Sequence, residues 1–202
     1  MYLSRVQLNP RIKEVRRDIS SPYDMHRTLH RFFSDASERF LWRLDTHKKY
    51  PVLLVQSMAV PNWGALSISD YFKHVDPSLE LKYVEDMESG QLFRFCLRAN
   101  TTVTREGKRL GVSDMTDQLE WLKIRSEKNG YELVGAMVSA SQLLRFKRSP
   151  HSDSSSMTIS LQATTFDGHL RVKDPELLKK AILQGVGPAK SFGCGLLTLA
   201  RG

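Results

Sequence analysis

Residues 174–200, DPELLKKAILQGVGPAKSFGCGLLTLA, read as a helix, a glycine-rich loop and a strand in direct succession. Asp174 ahead of Pro175 is an N-terminal helix signal, an acceptor side chain followed by proline in the first turn, and the apolar pattern runs through Leu183. GLLTLA then reads as an apolar strand. Between them, two glycine pairs, Gly185/Gly187 and Gly193/Gly195, bracket PAKSF. Glycine tolerates positive φ and lets a backbone or a phosphate come close, so beside Lys190 this loop is a seat for an anionic chain. It is not the phosphate loop of a nucleotide-triphosphate enzyme, because Lys190 and Ser191 follow Ala189 and no glycine stands at the required spacing.

Upstream, QLFRFCLRA alternates as a strand, and Met115 to Lys128 carries a helical apolar pattern through Leu119, Leu122 and Ile124 that Gly130 ends. ELVGAMVSASQLLRFKR and MTISLQATTFDGHLRV are two long strands joined by SPHSDSSS. The first half has the same order. YLSRVQLN alternates and is closed by Pro10, Ser20-Ser21-Pro22 opens a helix, FLWRL and PVLLVQS are strands, a short helix is predicted near Ile68 to His74, and LELKYVE is a strand. Two β-α-β-β-α-β units in tandem predict an α+β protein of two ferredoxin-like domains. The boundary falls near Met87 to Gly90, giving domains 1–88 and 89–202, the second holding the basic hairpin and the glycine-rich loop.

Thirty Lys and Arg against 22 Asp and Glu give a net charge of +8, which favours a polyanionic partner such as nucleic acid. The basic residues cluster: Arg5 to Arg17, then Arg94, Arg98, Arg105, Lys108 and Arg109, then Arg145, Lys147 and Arg148. An open antiparallel sheet or cleft of this kind serves RNA in several recognition modules, although the aromatic signature of a single-strand stacking sheet is missing. No stretch approaches the roughly 20 apolar residues of a membrane span, and MYLSRVQLNPR has no signal-peptide core. No membrane partner and a cytoplasmic location are expected. Cys96 and Cys194 lie in apolar surroundings without ligand spacing and read as small buried hydrophobes.

On the helix opened by Pro22, Met25, Leu29, Phe32 and Phe33 fall on one side, and Tyr23, His26, Arg27 and His30 on the other, facing outward. A histidine with an ordinary pKa near 6.5 can accept or donate a proton at neutral pH. His26 and His30 form H-x-x-x-H, but Arg27 stands where a zinc protease needs glutamate, and His30 reads as a solvated or RNA-proximal side chain. The clustered carboxylates of a two-metal nuclease are missing near the basic segments. No metal or other cofactor is expected.

With these elements placed, the chain resembles the CasE family, the endoribonuclease subunit of type I-E CRISPR Cascade complexes. The marks are the MYLS opening, Tyr23-Asp24-Met25-His26, LRAN at 97–100 followed by GKR at 107–109, FDGHLRVKDP at 166–175, and GVGPAKSFGCGLL at 185–197. The resemblance spans essentially the whole chain. It implies a double ferredoxin-like fold that binds the hairpin of the CRISPR repeat and cuts pre-crRNA at the base of its stem without metal, the ribose 2′-hydroxyl attacking the next phosphate to leave a 2′,3′-cyclic phosphate and a 5′-hydroxyl. The family's catalytic histidine falls on His26 and its helix-borne tyrosine on Tyr23. RNA contacts are expected from Arg27, Arg98, Arg105, Lys108, Arg109, Arg145, Lys147, Arg148, Gly187, Lys190 and Gly193, and the crRNA is retained beside other Cascade subunits. Two alternatives stand beside this reading. One is a noncatalytic scaffold of the same superfamily that binds structured RNA; the other is a small-molecule phosphate enzyme on the same fold.

Overall fold

Alternation sets the first strand: in β1 (Tyr2–Leu8), Ser4, Val6 and Leu8 are buried and the residues between them are not. The computed structural model describes residues 1–46, 49–148 and 157–201, and of Arg148 and Met157 the backbone only. After β1 come α1 (Lys13–Ser20), α2 (Pro22–His30), β2 (Phe40–Asp45), β3 (Val52–Ser57), β4 (Phe72–Val75) and β5 (Leu79–Glu80). A 3-10 turn (Lys82–Val84) leads to β6 (Leu92–Asn100), β7 (Thr102–Arg105), β8 (Lys108–Gly111), α3 (Met115–Lys128), β9 (Tyr131–Arg148), β10 (Met157–Val172), α4 (Pro175–Gln184), a 3-10 turn (Lys190–Phe192) and β11 (Leu197–Arg201). These elements gather into two compact units. One takes Met1–Lys82, Phe146–Met157 and Ser191–Gly193, and the other Tyr83–Arg145, Thr158–Lys190 and Cys194–Gly202.

In the first unit the sheet runs β2-β3-β1-β4 with every neighbouring pair antiparallel, and β5 lies beside the start of β1. This is the ferredoxin-like strand order, fourth strand next to first, first next to third. The second helix of the repeat, expected near Ile68 to His74, does not form. Asp70 sits in the left-handed region at φ 59, and the Asn9 amide donates to its carbonyl, pinning the segment to the end of β1, where it extends as β4. Of LELKYVE only Leu79–Glu80 is strand; Lys82–Val84 turns instead. Conversely α1, within the basic run after Pro10, is an extra helix that buries Val15 and Asp18.

Asp18 is almost fully buried, at 1% exposure. Its Oδ2 accepts from Thr28 Oγ1 and from the Tyr71 hydroxyl, both at 2.7 Å, and Arg17 pairs with Oδ1 at 2.7 Å. Three segments, α1, α2 and the approach to β4, are therefore joined through one carboxylate. Burial, reinforced by the Asp18 charge, raises the Tyr71 pKa, so this phenol stays a donor. The hydrophobic cluster of this unit includes Met25 and Leu29 of α2 with Val6, Leu8 and Val55 of the sheet.

The second unit follows the expected order apart from one added hairpin. Its sheet runs β11-β6-β10-β9, with β9 at the edge, and β6 is antiparallel to both neighbours. Asp114 caps α3, accepting from Thr116 N and Asp117 N, and Asp174 caps α4, accepting from Leu177 N. Leu97, Phe166 and Leu170 from the strands and Leu122, Leu178 and Ile182 from the helices are buried to within 1%. A small hairpin, β7–β8, is added between β6 and α3. Its two turn residues, Glu106 at φ 50 and Gly107 at φ 72, give the primed turn that suits strand twist. The chain is thus an α+β protein of two tandem ferredoxin-like domains.

Asp18→Ala leaves the Thr28 and Tyr71 hydroxyls buried without their acceptor. The expected loss is about 2–4 kcal/mol of unfolding free energy, read as a lowered denaturant midpoint, with Asp18→Asn losing less.

Candidate active site

Pro22 at the first turn and Ser21, whose Oγ accepts from Asp24 N at 3.3 Å, start α2 and fix its rotation. Met25, Thr28 and Leu29 go inward, which leaves Tyr23, His26, Arg27 and His30 on the opposite side. Arg27 is exposed, lies over the Tyr23 ring at 5.9 Å and pairs with Asp24 at 3.7 Å. His26 is less open than the helical wheel implies. Its ring is half-buried, 5.0 Å from Phe40 of β2 and 4.6 Å from His30. Its Nε2 is 3.2 Å from His30 Nε2, and its Nδ1 is buried with no hydrogen-bond partner among the described residues. His30, expected to be solvated or near RNA, is instead half-buried between Phe40 and His26.

Burial, and secondarily the like charge of His30, pull the His26 pKa down to about 4. The ring is neutral at physiological pH in the RNA-free protein. An unfolded chain takes up this proton near pH 6.5 and the folded one only near 4, so the stability contributed by the neutral ring is lost as pH falls through that window.

Val186 N donates to the Gly195 carbonyl, and Gly195 N to the Arg98 carbonyl, so the glycine-rich loop leaves and rejoins the second unit at pinned points. Gly193, expected to face RNA, is buried at φ 76 beneath Trp42, where an added Cβ would come within 2.8 Å of the ring. It is a packing position. Gly187, at φ 79, meets Trp121 of α3 in the same manner, at 3.2 Å.

In the second unit, Arg105 and Arg109 of the β7–β8 hairpin, Gly187 and Lys190 line one cleft of about 840 Å³. Arg125 and Lys128 of α3 join them, against Asp117 and Glu120. Those two α3 cations were missed because the helix was read for its apolar face; the signal was a basic pair three residues apart in its last turn. Arg125 lies over Trp121 at 5.3 Å. Lys108 is exposed on the hairpin but does not line the cleft, and Arg98 is half-buried in β6. Arg145 and Lys147 are exposed two positions apart, hence on one side of β9. The Arg148 side chain and the SPHSDSSS tip lie outside the described residues. Burial pushes the Cys194 thiol up to about 11, which makes it a poor nucleophile. Among the described residues no three His, Cys, Asp or Glu side chains converge as a metal site, and no helix is long and apolar enough to cross a membrane.

A half-buried histidine on one ferredoxin-like unit and a cationic cleft on the other define a double ferredoxin-like protein equipped for a polyanion. A family model described as CRISPR associated protein matches residues 1–201, and the chain belongs to that family, in its CasE group. It is 35% identical to the CRISPR-associated endoribonuclease Cse3 of Thermus thermophilus, over 99% of this chain and 100% of that protein. It is 28% identical to the CRISPR system Cascade subunit CasE of Escherichia coli, over 99% of both chains. Among solved structures, the CRISPR endoribonuclease Cse3 bound to 19 nt RNA superposes with a TM-score of 0.88 at 33% identity, covering 100% of each chain.

Two outcomes follow. An NMR titration of the RNA-free protein should give His26 a midpoint near 4; a midpoint at the ordinary value of about 6.5 overturns the burial account. Gly193→Ala, which must displace the Trp42 ring, should cost about 1–3 kcal/mol in thermal or denaturant unfolding.

Proposed function

We propose that this chain is an endoribonuclease that binds the hairpin of a CRISPR repeat, cuts pre-crRNA at the base of the stem and keeps the crRNA within Cascade, in the cytoplasm. The observation that carries the reading is the half-buried, neutral His26 one helical turn from Tyr23 on the same side of α2. The Thermus relative is named an endoribonuclease and a similar structure holds RNA, which supports the same chemistry here.

The reaction needs no group from outside the RNA and the protein. The 2′-oxygen forms a bond to phosphorus while the bond from phosphorus to the 5′-oxygen breaks, giving the cyclic phosphate and a 5′-hydroxyl. One proton leaves the 2′-hydroxyl and one arrives on the 5′-oxygen, so a single imidazole balances the step by passing it across. A neutral His26 is ready to accept, and the scissile phosphate, a negative charge brought next to the ring, raises its pKa again and stabilises the protonated form before the proton is handed on. Tyr23 on the same side of α2 supplies a hydroxyl for the 2′-oxygen or the phosphate. The proton balance closes on these side chains, and in this proposal the cleavage proceeds without metal.

Recognition of an A-form stem runs mainly through phosphates and 2′-hydroxyls. Arg105, Arg109, Arg125, Lys128 and Lys190 around the cleft, with Arg145 and Lys147 on β9, supply the charge. Five phosphate contacts predict a log-log salt slope of about −4 for hairpin affinity. Arg105→Ala with Arg109→Ala should flatten it by about 2.

His26→Ala should retain hairpin binding while cleavage falls by about 100-fold or more. Replacing the ribose at the cut site by 2′-deoxyribose should stop cleavage, and EDTA should leave it unchanged. Cutting that survives the deoxy substitution or requires magnesium overturns the mechanism, and a hairpin bound but left whole by the wild-type protein would mark a noncatalytic scaffold.

A further inference from the structure

We propose that His30 is a positioning residue for His26, choosing which edge of that ring faces the RNA. The inference rests on the reading of His26 as the proton carrier. The two histidines are four residues apart, hence on one side of α2, and their Nε2 atoms are 3.2 Å apart. At that distance one nitrogen carries the hydrogen and the other accepts it. The opposite nitrogen of His26, Nδ1, is buried and has no hydrogen-bond partner among the described residues. Nε2 is therefore the nitrogen left for proton exchange with RNA, and in the RNA-free protein it is the one that His30 holds, until the RNA takes the place of that contact.

The need for a holder comes from the shape of imidazole. A half-turn about χ2 puts Cε1 where Nε2 stands and Cδ2 where Nδ1 stands, with nearly the same outline. Packing cannot tell the two orientations apart. Phe40, the apolar neighbour at 5.0 Å from His26 and 4.9 Å from His30, confines both rings without distinguishing nitrogen from carbon. Nor does Nδ1 anchor the ring, since it makes no bond of its own among the described residues. The Nε2 contact to His30 is the directional interaction recorded for this ring, and it keeps a nitrogen, not a carbon, at the working edge. Incoming RNA then meets a ring already turned correctly, which is how preorganised geometry raises a rate without changing affinity.

The test uses the full chain with a CRISPR repeat hairpin, measuring single-turnover cleavage and hairpin affinity separately for the wild type and three variants. His30→Gln places an amide where Nε2 stood, able to donate or accept. His30→Phe keeps a ring against Phe40 but has no nitrogen, and His30→Ala has neither. We expect His30→Phe and His30→Ala to cleave about 10-fold more slowly or worse with affinity within about threefold of wild type, and His30→Gln to recover to within about threefold of the wild-type rate. Wild-type rates in the Phe and Ala variants, or a Gln variant as slow as Ala, overturn the inference. A second measurement needs no RNA: nuclear Overhauser contacts of the His26 Hδ2 and Hε1 protons with the Phe40 ring should show one ring orientation in the wild type and the Gln variant, and an average of two in the Phe variant. An unchanged pattern in the Phe variant also overturns it. Failure of the wild type to cut any repeat hairpin refutes the nuclease reading instead, and the NMR result then decides whether His30 orients His26.

Discussion

The Asp18 carboxylate is the constraint on which the His26 helix depends. A helix of nine residues is too short to persist in water by itself, so α2 exists because its surroundings hold it. Met25 and Leu29 supply the apolar part of that hold, but apolar packing alone tolerates small slides and rotations. The bond from Thr28 Oγ1 to Asp18 does not, because a hydroxyl and a carboxylate oxygen at 2.7 Å have a fixed distance and direction. Thr28 lies two residues from both His26 and His30. Anchoring it sets the rotation of the helix, and with it the side on which both imidazoles emerge.

Asp18 of α1 and His26 of α2 meet burial with different sets of partners. Arg17 and two hydroxyl donors surround the Asp18 carboxylate, while the Nδ1 of half-buried His26 has no hydrogen-bond partner among the described residues and burial pulls that ring's pKa down.

Much of the fold was legible in the sequence because local signals agreed with one another. The span of α3, the cap at Asp174, and the alternation in β1 and β6 are set by nearby residues and survive folding unchanged. What escaped depends on distant contacts. The apolar residues before His74 fit a helix until Asn9, 61 positions away, pins Asp70 and extends the chain. The basic run after Pro10 concealed α1, whose apolar side is only Val15 and Ile19 deep. For the site, helical spacing placed Tyr23, His26, Arg27 and His30 together, yet burial of His26 depends on Phe40 of β2, outside the helix. The glycine spacing announced a close approach at Gly193, but the approaching group is the Trp42 ring, not a phosphate.

The edge position of β9 has one more consequence. An 18-residue strand with one free side, carrying exposed Val134, Met137 and Leu143, offers a template to any other extended chain. Arg145 and Lys147 put positive charge on that border, and like charges on a second copy repel it. Arg145 and Lys147 thus charge the border that a second extended chain would have to approach, and removing them would lower the barrier to self-association.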